Sequence, residues 1–398
     1  MARFLLCLNC GRIAPERLFC TFCHSLLISS GLSDAPENRE GIYLGQTEDG
    51  KSFFLPLSRL CFHLAFYGVT GTGKTRAAMN LAIQAENQGI ALRIIDVEGE
   101  WKRIIPKLKK ETLFYDSGSN PTLNPFEVND PGLTLLLLKE TIFMGVEKEY
   151  RELSPQMSYV LGKCVLQSRS IPELIDRVIH YQPKTPFPFQ NLHATKTALL
   201  TRLNPFKDNP ILRKIFYQEH SSLDVSQIEG KNLIVDLHDL DRRVAYKAEE
   251  RLLYNAITLT YLREALSKPE KDKAENLFIA DEAQLLVPKI LHKAIVTDTW
   301  ATTDFATRLR KRGEALAIIT QSPSNIEEDI RKNAQNIFIF RLQDAEDIRL
   351  IAGMLGCLEI DEVSYFSSLL SSLETRKALV KMPSLDKPLL LTSPTTEL

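Results

Sequence analysis

Residues 68–75 read Gly-Val-Thr-Gly-Thr-Gly-Lys-Thr, which fits the pattern G-x-x-x-x-G-K-[ST] of a phosphate-binding loop. A polyphosphate carries dense negative charge and needs donors that close tightly around it. Gly68, Gly71 and Gly73 let the main chain wrap, so that N–H groups along the loop, those of Thr70 and Thr72 included, point inward. Lys74 can reach the outer phosphates of ATP, and Thr75 can offer its hydroxyl to Mg²⁺. A helix starting here aims its positive end at the same anion. The flanking sequence supplies that setting. Phe62–Tyr67 is an apolar, aromatic run suited to a buried strand. Arg76–Gln88 is rich in Ala, Leu, Ile and Gln and predicts a helix, with Gly89 as its stop. A solvent-exposed glycine turn is the plain alternative, and it would not require strand and helix on either side.

Three further segments belong with this loop. Asn276–Glu282 is an apolar strand ending in two acids, the Walker B pattern. An acid at the C-terminal end of a strand lies at the same sheet edge as the loop. Asp281 is placed to hold Mg²⁺ through its water shell, and Glu282 to polarise an attacking water. The alternative is a pair of solvated acids opening a helix. Ala315–Gln321 is another buried strand, ending in an amide. Gln321 can bond both a γ-phosphate and its attacking water, or it is a turn residue before Ser322-Pro323. Arg308, Arg310, Lys311 and Arg312 precede that strand. They read either as cations in a last helical turn before Gly313 or as a source of an arginine finger for a neighbour. Arg341, at the end of the run 336–342, is a similar candidate acting in cis.

The chain has 398 residues, 44% of them hydrophobic, and a formal net charge of −1. That is enough for two or three packed domains. The near-neutral balance excludes a polyelectrolyte binder, so any nucleic-acid contact must come from local basic patches. The cluster Lys102–Lys110 reads first as a solvated face and second as such a patch. No apolar run reaches bilayer-spanning length, and the N-terminal residues do not read as a signal peptide. Of seven cysteines, four form Cys7-x-x-Cys10 and Cys20-x-x-Cys23, nine residues apart. Two such knuckles can complete a tetrahedral S₄ site suited to Zn²⁺. A segment this small has almost no core, and zinc, worth about 10–16 kcal/mol in model fingers, would supply most of its folding energy. His24 can substitute for Cys23. A redox pair is the rival reading, but it needs one motif in a βαβ unit. The cysteine pattern of so long a chain predicts a reducing, cytoplasmic setting.

The resulting organisation is a zinc-ribbon-like module over 1–30, a linker and hairpin over 31–60, and an α/β domain over 61–398. The hairpin turns at Glu48-Asp49-Gly50. Further strands are expected at Ala91–Val97, Asn232–Leu237 and Ala378–Met382. A helical insertion occupies about 131–217, with helices at Leu133–Met144, Pro155–Gln167, Ile171–His180 and Leu192–Leu203, and a long helix follows at Arg242–Leu266.

Taken together these segments resemble the HerA–FtsK superfamily of DNA-pumping ATPases, most closely its HerA-like branch. The resemblance rests on Gly68–Thr75 with His63 just upstream, Asp96-Val-Glu-Gly-Glu100-Trp101, Leu123-Asn-Pro-Phe126, Asp281-Glu-Ala-Gln284, and Arg310-Lys-Arg-Gly313 leading to Thr320-Gln-Ser-Pro323. Their order and spacing run over about residues 41–392. The resemblance implies a RecA-like P-loop ATPase core in which the strand ending at Gln321 lies between the Walker A and Walker B strands. It implies a ring, usually a homohexamer, with ATP between subunits and double-stranded DNA through the pore. It makes Arg310 the favoured trans finger, with Arg308 and Arg312 as alternatives, and puts Glu98 and Glu100 near the nucleotide edge without a role. A nuclease or other accessory protein is an implied partner. HerA proteins usually carry a β-barrel before the ATPase; here about 40 residues separate Cys23 from the first core strand, and a zinc knuckle and hairpin stand in its place. Compact ATPases of this kind also serve conjugation, secretion, virus packaging or defence, with the zinc module as a docking element. A third reading, a zinc-dependent nucleic-acid-binding module with an idle ATPase, is opposed by intact Lys74, Thr75, Asp281 and Glu282.

Overall fold

The structure is a computed structural model. It describes residues 4–6, 13–15, 40–48, 50–116, 122–127, 131–132, 134–135, 138, 153–183, 191–222, 228–238, 257–258, 261, 265, 268–287, 289, 308–355, 367–385 and 388–394. Strands β1 (Phe4–Leu6) and β2 (Ile13–Pro15) pair antiparallel with each other. The remaining strands join one sheet: β3 (Ile42–Thr47), β4 (Ser52–Leu55), β5 (Leu64–Tyr67), β6 (Ala91–Asp96), β7 (Thr112–Tyr115), β8 (Asn232–Asp236), β9 (Lys271–Ala280), β10 (Arg312–Thr320), β11 (Asn336–Ile339), β12 (Lys377–Lys381) and β13 (Leu389–Thr392). Among the described residues this sheet has eleven strands in the order β4-β3-β13-β12-β11-β5-β10-β9-β6-β8-β7. From β11 to β7 the strands are parallel, and from β11 back to β4 they are antiparallel.

The parallel part is buried on both faces, and its side chains alternate between two cores. Leu64, Phe66, Leu92, Ile94, Leu277, Ile279, Ala315, Ala317 and Ile319 face the layer that contains helix α1 (Lys74–Asn87). Ala65, Tyr67, Ile95, Phe278, Ala280, Leu316 and Ile318 face the other side. There the sheet meets the insertion helices α2 (Pro155–Val165), α3 (Ile171–His180), α4 (Leu192–Leu203), α5 (Pro205–Asp208) and α6 (Pro210–Phe216). Short helices α7 (Ala283–Leu286) and α8 (Glu328–Asn333) and helix α9 (Ala345–Leu355) also lie among the described residues. The stacked rings of Phe66 and Phe338, 4.6 Å apart, join β5 to β11 across the α1 face.

Local chemistry explains why the insertion helices start where the sequence predicts. Ser154, Ser170 and Asn191 each accept a bond from a backbone N–H three residues on, the N-cap arrangement. Helix α1 ends in the paired bonds Ile90 N–H to Ala85 and Gly89 N–H to Glu86, with Gly89 at φ 97°. That is a Schellman stop, which a residue with a side chain adopts only under strain. Asn124 ties the base of the insertion: its amide donates to the carbonyls of Arg169 and Glu219, and its oxygen accepts from Phe126 N–H.

Several boundaries differ from expectation. The first core strand starts at Leu64, because residues Leu57–Phe62 form a 3₁₀ turn and His63 sits at φ 56°. The hairpin at Glu48–Gly50 is the outer edge of the main sheet, since β3 pairs with β13. Strands β7 and β13 carry no clear period in sequence; both are four residues long and take their place from neighbours. Gly313 lies inside β10 at a register shift between Arg312 and Glu314, with the positive φ of 76° that a bulge there calls for. Of the helix expected at Arg242–Leu266, residues 257–258, 261 and 265 are described and helical. Cys7, Cys10, Cys20, Cys23 and His24 lie outside the described residues. No described helix is long and apolar enough to cross a membrane.

Candidate nucleotide site

The parallel order β5-β10-β9 brings the three motif-bearing strand ends side by side. The strand ending before Gln321 lies between the Walker A and Walker B strands, as the resemblance implies. The loop 68–73 is held from three directions. Gly68 N–H donates to the Thr320 carbonyl at 3.2 Å and Val69 N–H to that of Arg341 at 2.9 Å. Thr72 Oγ1 donates to the Val69 carbonyl at 2.7 Å, and the Thr72 carbonyl accepts from Arg376 N–H at 2.9 Å. At Gly68, with φ 154°, an added Cβ would lie 2.7 Å from the Cβ of Phe340. Gly73 takes a left-handed conformation at the N-terminus of α1 and gives no side-chain cap, so the first helical N–H groups remain available to an anion.

Lys74 is buried, and its Nζ lies 3.7 Å from Glu282 Oε1. Glu282 occupies the left-handed region, φ 46° and ψ 49°, which costs a residue with a Cβ roughly 1–3 kcal/mol and marks functional positions. The strain is offset by a network. Gln321 Nε2 donates to Glu282 Oε1 at 2.9 Å, while Gln321 Oε1 accepts from Thr70 Oγ1 at 2.9 Å. Gln284 Nε2 donates to Glu282 Oε2, and Thr320 Oγ1 donates to Gln284 Oε1 at 2.6 Å. A carboxylate that would polarise water is thus held by donors from β10, α7 and the phosphate loop's own lysine.

Asp281 is buried beneath this network, and its Oδ2 accepts the indole N–H of Trp101 at 3.0 Å. Asp96 accepts from the backbone N–H groups of Gly99 and Trp101, both at 2.8 Å. Burial, with Asp96 and Glu282 nearby, pushes the Asp281 carboxyl up to about 8. Burial likewise pushes Asp96 up to about 6. Crowded buried carboxylates of this kind suit a divalent cation, which relieves their mutual repulsion. Among the described residues no cluster of three or more His, Cys, Asp or Glu side chains forms a metal cage. Mg²⁺ needs only one or two protein oxygens, with phosphate and water supplying the rest. The donor set of Lys74, Thr75, Asp281 and the uncapped helix end therefore fits a magnesium nucleotide.

Some predicted residues converge on this site and others do not. Gly68–Thr75, Asp281, Glu282 and Gln321 stand together. Arg341 abuts the loop through its carbonyl, and its Nε is buried without a partner among the described residues. Glu98 is exposed, and Glu100 pairs with Arg103 at 3.7 Å on the surface; the Asp96–Trp101 segment instead serves the site through its two ends. Lys102, Arg103, Lys107 and Lys109 are exposed, while Trp101 and Ile104 of the same turn are buried. Arg312 donates to the Lys268 carbonyl. Arg310 is exposed with its guanidinium 3.7 Å from the ring centre of Phe62. Phe62 precedes β5 and Arg310 precedes the nine residues of β10, so this contact lies at the opposite strand ends from the phosphate loop, roughly 20 Å below it. Sequence reasoning missed Gln284, Trp101 and Arg376. The first two sit inside quoted motifs, whereas Arg376 carries no local signal apart from its contact with Thr72.

Loop, strand order and paired acids together define a P-loop ATPase. No protein-family profile matches the chain. The chain is 24% identical over 382 residues to the DNA double-strand break repair helicase HerA of Sulfolobus acidocaldarius, covering 90% of this chain and 70% of that protein. Its fold is similar to that of VirB4 of Thermoanaerobacter pseudethanolicus, with TM-score 0.68, 18% identity, and coverage of 90% of this chain and 98% of that one. It is also similar to the plasmid coupling protein TrwB in complex with the non-hydrolysable ATP analogue ADPNP, with TM-score 0.62, 17% identity, and coverage of 90% and 91%. The chain is thus similar in sequence to HerA helicases and in fold to the P-loop ATPases VirB4 and TrwB.

Proposed function

We propose that the chain is an ATP-hydrolysing ring motor that translocates double-stranded DNA. The observation that carries the reading is the division of the site. The phosphate loop, Asp281, Glu282 and Gln321 meet at one sheet edge, while Arg310 lies roughly 20 Å away, beyond the reach of one side chain. A head-to-tail ring supplies what a single subunit lacks, because each interface joins two different faces of the same chain. In this reading Gly68, Thr70, Gly71, Thr72, Gly73 and Lys74 hold the phosphates, Thr75 and Asp281 hold Mg²⁺, and Arg341 contacts the nucleotide in cis. Bound Mg²⁺ would neutralise charge on the phosphates. Glu282 orients and polarises the attacking water, Gln321 links that carboxylate to the loop, and Arg310 of the neighbour stabilises the transition state. HerA similarity over 90% of the chain supports DNA as the substrate.

The test is the ATPase rate with and without duplex DNA, beside a mass measurement of the oligomer. DNA should raise turnover in a homohexamer, and Glu282→Gln should bind ATP but not hydrolyse it. A chain that hydrolyses ATP, ignores DNA and stays monomeric in every nucleotide state refutes the motor. ATPase action in conjugation, secretion, packaging or defence uses the same core; stimulation by a protein substrate in place of DNA would favour it. The zinc module is part of the proposal. Strands β1 and β2 bracket the connection that holds Cys7 and Cys10, an arrangement suited to a knuckle, with Cys20 and Cys23 completing the site. Metal analysis of the full chain should find one zinc ion per subunit, and a metal-free, folded chain would remove the assignment.

A further inference from the structure

We propose that Arg59 acts beside Arg310 as a second cation on the neighbouring subunit's nucleoside triphosphate, and that Phe62 is the positioning residue for both. The inference rests on the ring reading above. Two chain segments converge on one ring: Arg59 lies in the 3₁₀ turn Leu57–Phe62, and Arg310 precedes β10. The Arg310 guanidinium lies 3.7 Å and that of Arg59 5.1 Å from the Phe62 ring centre. Among the described residues neither guanidinium has an ion-pair or hydrogen-bond partner. The ring attracts each cation, while the two cations repel one another, and a bound anion would offset that repulsion.

The platform is stiff. Leu60 and Cys61 of the turn are buried. The Asn336 amide donates to the carbonyls of Arg59 and His63, both at 2.9 Å, and His63 Nδ1 accepts from Leu316 N–H at 3.1 Å. These bonds fix the turn against β10 and β11, so Phe62 presents the guanidiniums at a set height on the sheet. Fixed donors stabilise developing charge better than mobile ones. Their distance from the subunit's own phosphate loop assigns them to another subunit's site. Two cations on one ring make a compact receptor that matches a terminal phosphate, whereas a DNA-tracking surface spreads its cations along a backbone.

The experiment compares steady-state ATPase kinetics of the full-length ring for Arg310→Ala, Arg59→Ala, Phe62→Leu and Phe62→Tyr in saturating duplex DNA. Arg310→Ala should lower kcat by about a thousandfold or more. Arg59→Ala and Phe62→Leu should each lower kcat by at least about tenfold with little change in KM, and Phe62→Tyr, which keeps the ring face, should restore it. Mixing Arg59→Ala chains with Lys74→Ala chains should recover turnover, because the second chain donates its Arg59 to the intact site of the first. Normal kcat in Arg59→Ala beside a dead Arg310→Ala overturns this inference and leaves the ring reading standing. Normal kcat in Arg310→Ala sinks the ring reading itself. An Arg59→Ala chain that changes only the salt dependence of DNA affinity makes the pair a DNA contact and also overturns the proposal. Should Phe62→Leu fail to fold, Arg59→Ala, Phe62→Tyr and the mixing assay decide.

Discussion

Replacing Gln321 with Leu removes the side chain that bridges Thr70 of the phosphate loop to Glu282. Two bonds are lost, each 2.9 Å long: Nε2 to Glu282 and Thr70 to Oε1. They are not equal. Thr70 is exposed, so water replaces its partner and little stability is lost. Glu282 is buried, and a hydrogen bond to an ionised group in such a place is worth about 1.5–3 kcal/mol. Gln284 and Lys74 still hold the carboxylate, so its aim loosens but its place is kept. If Glu282 orients the attacking water, the whole loss falls on the transition state, and kcat should drop between about tenfold and 150-fold. The affinity for ATP should change less than about threefold, because the loop and Lys74 are untouched. Steady-state ATPase kinetics beside equilibrium binding of a fluorescent ATP analogue separates the two effects. Gln321→Glu should be worse than Gln321→Leu, since it sets a second carboxylate against Glu282. A kcat within about threefold of the parent, or a loss carried wholly by KM, would refute the role given to the network.

Two more outcomes follow from buried geometry away from the reacting atoms. Arg93→Met should destabilise the fold by about 3–5 kcal/mol, because the buried guanidinium of Arg93 satisfies the carbonyls of Leu92, Ile228 and Lys231 and the side chain of Asn276; urea denaturation checks this, and a loss below about 1 kcal/mol would mean other groups satisfy them. Gly68→Ala should lower ATP affinity at least about tenfold, measured by calorimetric titration, because its Cβ would press on Phe340 at 2.7 Å from a backbone that L-residues rarely adopt; unchanged affinity would show that the loop relaxes freely.

Much of the core was readable because its signals are local. A glycine-rich loop between an apolar run and a helical period needs no tertiary information, and neither do the caps Ser154, Ser170 and Asn191, whose helices form where predicted. Strands β7 and β13 escaped notice because a four-residue strand has too few alternations to reveal a period. Gly313 carries a register shift in β10 that its sequence does not announce, since a bulge and a C-cap both call for glycine at positive φ. Gln284 stood in view within Asp281–Gln284, yet only its bonds to Glu282 and Thr320 give it a task.

Residue order alone specifies the chemistry available: a phosphate cradle, two acids at a strand end, an amide after another strand and a set of arginines. Residue type and short-range spacing encode these, because each depends on a few consecutive backbone conformations. Which of them meet was decided by the tertiary structure. Strand order set Gln321 between the loop and Glu282, sheet register put Trp101 on Asp281 and Arg376 on Thr72, and the length of β10 carried Arg310 away from its own site to the ring of Phe62. Contacts between residues 180 or 251 positions apart leave no mark on local sequence, because they arise from packing both faces of a sheet rather than from any propensity along the chain.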